Sequence, residues 1–244
     1  MIKCKRFICF FLISFFLLYM KPVYSGEHFV LNSGGFPPFS NSERNGFEDL
    51  LSKEMYKRAG ISITINQLPS ERGLRIANEG LEDGIHSRVK AINKKYKNLL
   101  PLEEPTMERQ YVAYAKDASI KIDGWKSLSK YNIAIITGWK ILEWNIINSK
   151  SLIKVRNSDQ LFKLLENGRV DVIVFTKWGG LQKIKDLNIQ GIYLLDKPLA
   201  KKDMYFFLHK KHRELVPRLS AILREIKKDG TYKAIFDETM DELK

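Results

Sequence analysis

The chain has 244 residues, with 41 Lys and Arg against 28 Asp and Glu, a formal charge of +13, and two cysteines. Both cysteines, Cys4 and Cys9, fall in a leader-like first segment, which excludes a disulfide, a thiolate nucleophile or a cysteine-held metal from everything after it. The basic residues lie scattered in pairs (Lys94-Lys95, Lys201-Lys202, Lys210-Lys211, Lys227-Lys228) with no long run, so they read as solvated surface or as a field that steers an anionic ligand.

Residues 1–25 have the pattern of an export signal. Lys3, Lys5 and Arg6 precede the apolar run Phe7 to Met20, and Val23-Tyr24-Ser25 supplies a cleavage site, which puts the mature N-terminus at Gly26. Fourteen apolar residues are short for a membrane span, which needs about 20. Without a cysteine after the cleavage site, a lipid anchor is not expected, and the chain suits the bacterial periplasm. Cleavage leaves 219 residues with 37 basic and 28 acidic side chains, enough to bury a core in one or two domains. Export and scattered charge together argue against a nucleic-acid partner.

Phe29 to Asn32 reads as a strand running into the loop Ser33-Gly34-Gly35-Phe36-Pro37-Pro38-Phe39, whose aromatics are either ligand contacts, Phe36 first, or a small core cluster. A helix over Gly46 to Ala59 places Leu50, Leu51, Met55 and Tyr56 on its inner face and is closed by Gly60. The strand Ile61 to Gln67 follows, then a helix with Ser70 as its expected N-cap that ends at Gly80, then the strand Gly84 to Arg88. This β-α-β-α-β order is the unit of an open, mostly parallel sheet. Val89 to Pro105 reads as irregular, Gln110 to Ala115 as a strand, and the polar stretch Lys116 to Asp123 as the first crossing between lobes.

A second unit repeats the first. The strand Asn132 to Ile136 ends at Thr137-Gly138-Trp139, where a glycine before a helix offers backbone N–H groups to an anion, although ordinary turns use it too. After the helix through Trp144 and Ile147 come the strand Ile153 to Val155, Asp159 as an expected N-cap, a helix over Leu161 to Leu165, and the buried strand Val170 to Phe175. Thr176-Lys177-Trp178-Gly179-Gly180 leaves that strand at the cleft end. Tyr193 to Leu195 and Tyr205 to His209 read as strands, and Glu214 to Lys228 and Tyr232 to Leu243 as the closing helices. Gly80-Leu81-Glu82-Asp83-Gly84-Ile85 and Gly168-Arg169-Val170-Asp171-Val172-Ile173 share one spacing, which predicts two similar lobes with a cleft between them.

Taken together, the leader, Phe36-Pro37-Pro38-Phe39, Gly46-Phe47-Glu48, Gly168-Arg169-Val170-Asp171 and Lys228-Asp229-Gly230-Thr231-Tyr232 resemble the family 3 extracellular solute-binding proteins of bacterial uptake systems, over essentially the whole mature chain. The resemblance implies an α/β, two-lobed periplasmic binding protein-like fold (type II), each lobe a mostly parallel sheet flanked by helices. Two hinge crossings would join lobe 1 (residues 26–116 and 204–244) to lobe 2 (residues 117–203). It also implies closure over a small-molecule ligand, usually an amino acid, presented by a monomer to an inner-membrane permease or sensor, with no cofactor. This chain departs from the family at the ligand. It lacks the Thr-Pro-Glu-Arg run that offers an arginine to the ligand carboxylate, and Arg88 is the substitute candidate. Thr176 stands where members hold the α-ammonium with an aspartate. Gly138-Trp139 replaces a Gly-Thr cradle, and Leu50 an expected acid.

The alternative for Arg88 is a salt bridge to Glu103, Glu104 or another acid in its own lobe. Arg72, in the first turn of a helix, is either a ligand contact or a solvated cation. Trp139 and Trp178 are expected to flank the cleft, with core packing as the alternative, and would suit a flat anion. His28, His86, His209 and His212 lack metal-ligand spacing, and His86 reads as a satisfied buried histidine. An enzyme on this fold would draw its acid or base from Glu48, Glu71 or His86. No hydrolase, zincin or phosphate-loop motif is present, which favours binding without chemistry.

Overall fold

The computed structural model describes residues 27–195 and 197–243. The expected leader, residues 1–25, lies outside the described residues. Ten strands form one hydrogen-bonded mixed sheet in the order β2-β1-β3-β10-β5-β8-β6-β7, with β4 on β10 and β9 on β5. Lobe 1 contributes β1 (His28–Ser33), α1 (Phe47–Arg58), β2 (Ser62–Gln67), α2 (Ser70–Asn78), β3 (Gly84–Val89) and β4 (Leu99–Pro101). Lobe 2 contributes β6 (Asn132–Ile136), α3 (Lys140–Asn145), β7 (Ser151–Val155), α4 (Ser158–Glu166), β8 (Val172–Thr176), α5 (Lys177–Asp186) and β9 (Tyr193–Leu194). β5 (Met107–Ala115) and β10 (Ala200–His209) join them, and α6 (Leu215–Lys228) and α7 (Thr231–Met240) return to lobe 1.

The repeat seen in the sequence is a repeat of architecture. β2-β1-β3 and β7-β6-β8 are each parallel triplets with an antiparallel fourth strand, β10 or β5. The aspartate of each Gly-x-x-Asp unit ties the unit's third strand to its first. Asp83 accepts from Val30 N–H at 2.8 Å, and Asp171 from Asn132 N–H at 2.8 Å. Gly80 and Gly168 both have positive φ, +77° and +63°, which glycine adopts without strain. The two copies are not equal, because Asp83 also binds Lys211 at 2.7 Å and His212 at 2.8 Å. Burial raises the Asp83 carboxyl, but Lys211, the Val30 N–H and His212 together hold it below the usual range. Its contribution is therefore complete at neutral pH and is lost as pH falls through the lowered folded value. Asp83→Asn is expected to cost about 1–3 kcal/mol and Asp171→Asn less, a ranking that urea denaturation at pH 7 checks.

Each lobe packs its sheet between two apolar layers. In lobe 1, α1, α6 and α7 cover one face through Leu51, Met55, Leu219, Leu223 and Ile226, and α2 covers the other through Leu74 and Ala77. In lobe 2, Leu142 of α3 lies under one face and Leu161, Phe162 and Leu165 of α4 under the other. β8 is buried along its whole length, as a strand covered on both faces must be.

Two expected helix caps change, and one stretch left without a type takes one. The stretch after Thr176 forms the start of α5, and its two glycines are there for space. A Cβ on Gly180 would lie 2.3 Å from Cζ and Oη of Tyr114, whose hydroxyl donates to Lys177 O at 2.5 Å. Gly180→Ala is expected to push α5 off β5 and cost about 1–3 kcal/mol, seen as a Tm several degrees lower. Ser70 is the first residue of α2 and does not cap it, because its hydroxyl faces Arg88. Asn157, not Asp159, caps α4 by accepting from Gln160 N–H. Finally, Met107 pairs with Met204 in the lobe 1 core while Tyr111 to Ala115 pair with β8. The partner of β5 thus changes from β10 to β8 at Tyr111.

Candidate functional site

β3 pairs with the crossing strand β10 and β8 with the crossing strand β5, and the carboxyl ends of such strands are the usual position for a ligand in an open α/β sheet. Arg88, at the end of β3, donates to Ser87 O at 2.8 Å, His86 O at 3.4 Å and Ser70 Oγ at 3.3 Å. None of its partners is a carboxylate. Glu103 and Glu104 instead pair with Arg224 (3.7 Å) and Lys227 (2.5 Å), so the salt-bridge alternative does not hold. Arg88 Nε is sealed from solvent with no partner among the described residues. Burial, followed by Arg109, pulls the guanidinium pKa down to about 10 against the pull of Glu48, which still leaves it charged at neutral pH. The chain makes room for this group: a Cβ on Gly34 would lie 2.5 Å from Arg88 Nη2.

A second buried cation stands beside it. Arg109, on the crossing strand β5, donates to Glu48 Oε1 at 2.8 Å and lies 4.4 Å from the Phe39 ring and 6.0 Å from the Phe36 ring. Its Nε also lacks a partner among the described residues. Glu48 is 1% exposed and opens α1, where the helix dipole favours an acid. The sequence offered Glu48 only as an acid–base candidate and did not offer Arg109 at all. Its partner lies 61 residues away, and no local pattern around Met107-Glu108-Arg109 signals the pair.

The aromatic wall is where the lobes meet. Phe36 lies 6.1 Å from Trp139 at 26° and 5.6 Å from Phe175, with Phe39 edge-on at 5.6 Å. Trp139 in turn stacks on Phe175 at 4.8 Å and 16°. Phe36 therefore belongs to the apolar clusters of both lobes. Thr176 is 1% exposed, and its Oγ1 is buried without a partner among the described residues at the N-terminus of α5.

The other expected site residues sit elsewhere or are already engaged. Gly138 N–H donates to Glu143 Oε1 at 3.0 Å, so the chain's own carboxylate fills the anion cradle expected there. Trp178 packs edge-on against Phe236 of α7 at 5.5 Å, holding α5 to the closing helix and lying outside the aromatic wall. Arg72 is exposed and makes no ion pair or hydrogen bond among the described residues. Glu71, offered as an acid–base candidate, is held on the surface by Lys95 at 2.8 Å and Tyr96 at 2.6 Å. His86 is buried with neither ring nitrogen bonded among the described residues, contrary to the satisfied histidine the sequence suggested. It stacks on Phe206 at 4.9 Å, with Asp49 3.8 Å from Nδ1.

Two parallel strand triplets of one topology are joined by two crossing strands, and the cations Arg88 and Arg109 stand near the junction. The chain belongs to the bacterial extracellular solute-binding proteins, family 3, whose family model matches residues 30–242. It is similar to an uncharacterized protein of Shewanella oneidensis, 24% identical over 76% of this chain and 72% of that one. Among solved structures it is similar to the ligand-binding core of GluR0 in complex with L-glutamate (TM-score 0.77, 11% identity, 88% of this chain and 99% of that one). It is also similar to a histidine kinase sensor domain resembling periplasmic binding proteins (TM-score 0.72, 16% identity, 88% and 96%). At these identities the structures establish the shared fold.

Proposed function

We propose that this chain is a periplasmic solute-binding protein, exported behind a cleaved leader without a lipid anchor. It closes over a small polar or anionic solute, aromatic ones included, and presents it to an inner-membrane permease. The observation that carries this reading is Arg88, a part-buried guanidinium with a sealed Nε and no carboxylate in ion-pair contact, at the carboxyl end of a sheet strand. A buried cation is stable in the long term only when paired, and an anionic ligand would supply the missing partner. Phe36 and Trp139 form the apolar wall across the seam, and Thr176 lines it from lobe 2. Trp178, Gly138 and Arg72 act outside this contact.

Binding without chemistry fits the commitments of the titratable groups, since Glu48 is tied to Arg109, Glu71 to Lys95, and His86 is sealed. A sensory role is the second reading, favoured by the similarity to a histidine kinase sensor domain. In either role, closure changes the surface shown to the membrane partner.

Thermal-shift screening of the purified protein against amino acids, organic acids and aromatic acids is expected to find a stabilising ligand. At 100 times its Kd, such a ligand adds about 2.7 kcal/mol, or roughly 5–10 °C in Tm. A panel without any hit, together with unchanged small-angle scattering, would reject the closing-on-solute reading. Neighbouring permease and ATPase genes would favour uptake, and a neighbouring sensor kinase would favour signalling.

A further inference from the structure

The basic charge of lobe 2 is concentrated in one stretch. Residues 124–157, which include β6, α3 and β7, carry Lys126, Lys130, Lys140, Lys150, Lys154 and Arg156 against Glu143 alone, a net charge of +5. All six cations are exposed. The next stretch, residues 158–199, is nearly balanced, with six basic and five acidic side chains. Acids facing the basic stretch from other elements do not cancel it. Asp171, bonded to Asn132, and Glu166 are matched by Arg169 and by Lys116, whose Nζ donates to Glu166 O at 2.8 Å, and Asp123 pairs with Lys197 at 3.1 Å.

The same stretch presents two large apolar side chains to solvent. Leu142 and Ile146 point into the lobe 2 core, 0% and 3% exposed, which fixes the end of α3 and leaves Trp144 and Ile147 outside, 72% and 80% exposed. Three residues separate these two, a reach of at most about 11 Å. Lys150 follows three residues on, and its N–H donates to Tyr131 O at 3.1 Å, beside Lys130. Neither Lys130 nor Lys150 makes an ion pair among the described residues. Trp144, Ile147, Lys130 and Lys150 therefore gather towards the end of lobe 2 where β6 and β7 begin. Trp139 and the cleft lie at the other end of β6.

Area and charge together decide what covers this patch. A tryptophan buries about 150–250 Å², so Trp144 and Ile147 together fall well short of the roughly 800 Å² per partner of a stable protein interface. A flat anionic surface needs no such area, because clustered lysines hold a protein to it by charge while a tryptophan ring sits at headgroup level. We propose that this end of lobe 2 docks on the anionic phospholipid surface of a bilayer. Trp144 and Ile147 enter the headgroup layer, and Lys130 and Lys150 meet the phosphates beside them. The docking is independent of the role of Arg88 and leaves the cleft open to solvent.

Co-sedimentation with vesicles tests this, using protein that starts at Gly26, ahead of every described element of the fold. Vesicles of phosphatidylcholine with about 30% phosphatidylglycerol are expected to bind it at least about tenfold more tightly than phosphatidylcholine alone, and about 0.5 M salt to release it. Lys130→Glu/Lys150→Glu is expected to lose the binding. Trp144→Ser/Ile147→Ser is expected to weaken it about tenfold and to lack the blue shift of tryptophan emission that the parent shows on the vesicles. Equal binding to both kinds of vesicle, binding to neither, or binding that either double variant keeps in full overturns the proposal. A dimer that Trp144→Ser/Ile147→Ser dissolves in analytical ultracentrifugation, without vesicle binding by the parent, would assign the patch to a second copy of the chain instead. All four positions are exposed, and circular dichroism separates lost binding from lost fold.

Discussion

Arg88→Met is expected to leave the empty protein at least as stable as the parent while erasing its response to ligand. Methionine removes a buried cation that has no acid beside it and fills similar volume, an exchange that is often neutral or stabilising. The cost falls on binding, where the ligand's charge would be buried without a partner, at roughly 3–5 kcal/mol, or on the order of several hundred-fold or more in Kd. Arg88→Lys should recover only part of this, because an ammonium cannot reproduce the two-pronged contact. Thermal unfolding with and without the screening hit reads both effects. A ligand-induced shift that survives in Arg88→Met would remove Arg88 from the site.

Acid should weaken the fold well before its surface carboxylates titrate, and His86 should be the largest single cause. Burial, then the charges of Arg88 and Arg44, push its pKa from 6.5 to about 3. Below pH 6.5 the unfolded chain takes up a proton that the folded chain refuses until about pH 3, so stability falls as pH falls through that window. At about 1.4 kcal/mol per pH unit the loss approaches 3 kcal/mol by about pH 4. Asp49 works the other way. Burial raises its carboxyl against the hydrogen bonds from Ser40, Asn41 and Gly46, so it offsets part of the loss near the acid end. His86→Phe keeps a ring on Phe206 and should flatten the profile. Denaturant unfolding at pH 7, 5.5 and 4 decides the matter, and parallel profiles for the two proteins would clear His86 of the role.

Most of the fold could be read from the sequence because its signals are local. Asn132–Ile136 forms the strand its apolar run predicts, and α1 and α6 bury the faces that their periodicity marks. α5 was not legible, because Gly179-Gly180 inside a helix is explained only by Tyr114 and Phe36 pressing against it. A polar stretch such as Lys116 to Asp123 marks a change of composition, whereas the sheet changes partner inside an apolar-ended strand, at Tyr111. At the site, Arg88 and Phe36 could be read from their positions at strand ends. Arg109 and Phe175 could not, because a contact across the two lobes leaves no periodicity in either segment. Trp178 and Gly138 had the right position along the chain and the wrong surroundings in space.

The path of the chain also limits the order in which the molecule can be made. Lobe 2 is one unbroken stretch between the two crossing strands, and β5, β6, β7 and β8 can gather its core as soon as they are available. Lobe 1 is split across both ends of the chain. Leu219, Leu223 and Ile226 of α6 and Ile235 and Met240 of α7 close its interior, and they are synthesised after lobe 2. The N-terminal half must therefore wait, with Leu51 and Met55 unpaired, until α6 and α7 arrive. Loss of a few C-terminal residues would then harm the lobe that begins at the other end of the sequence.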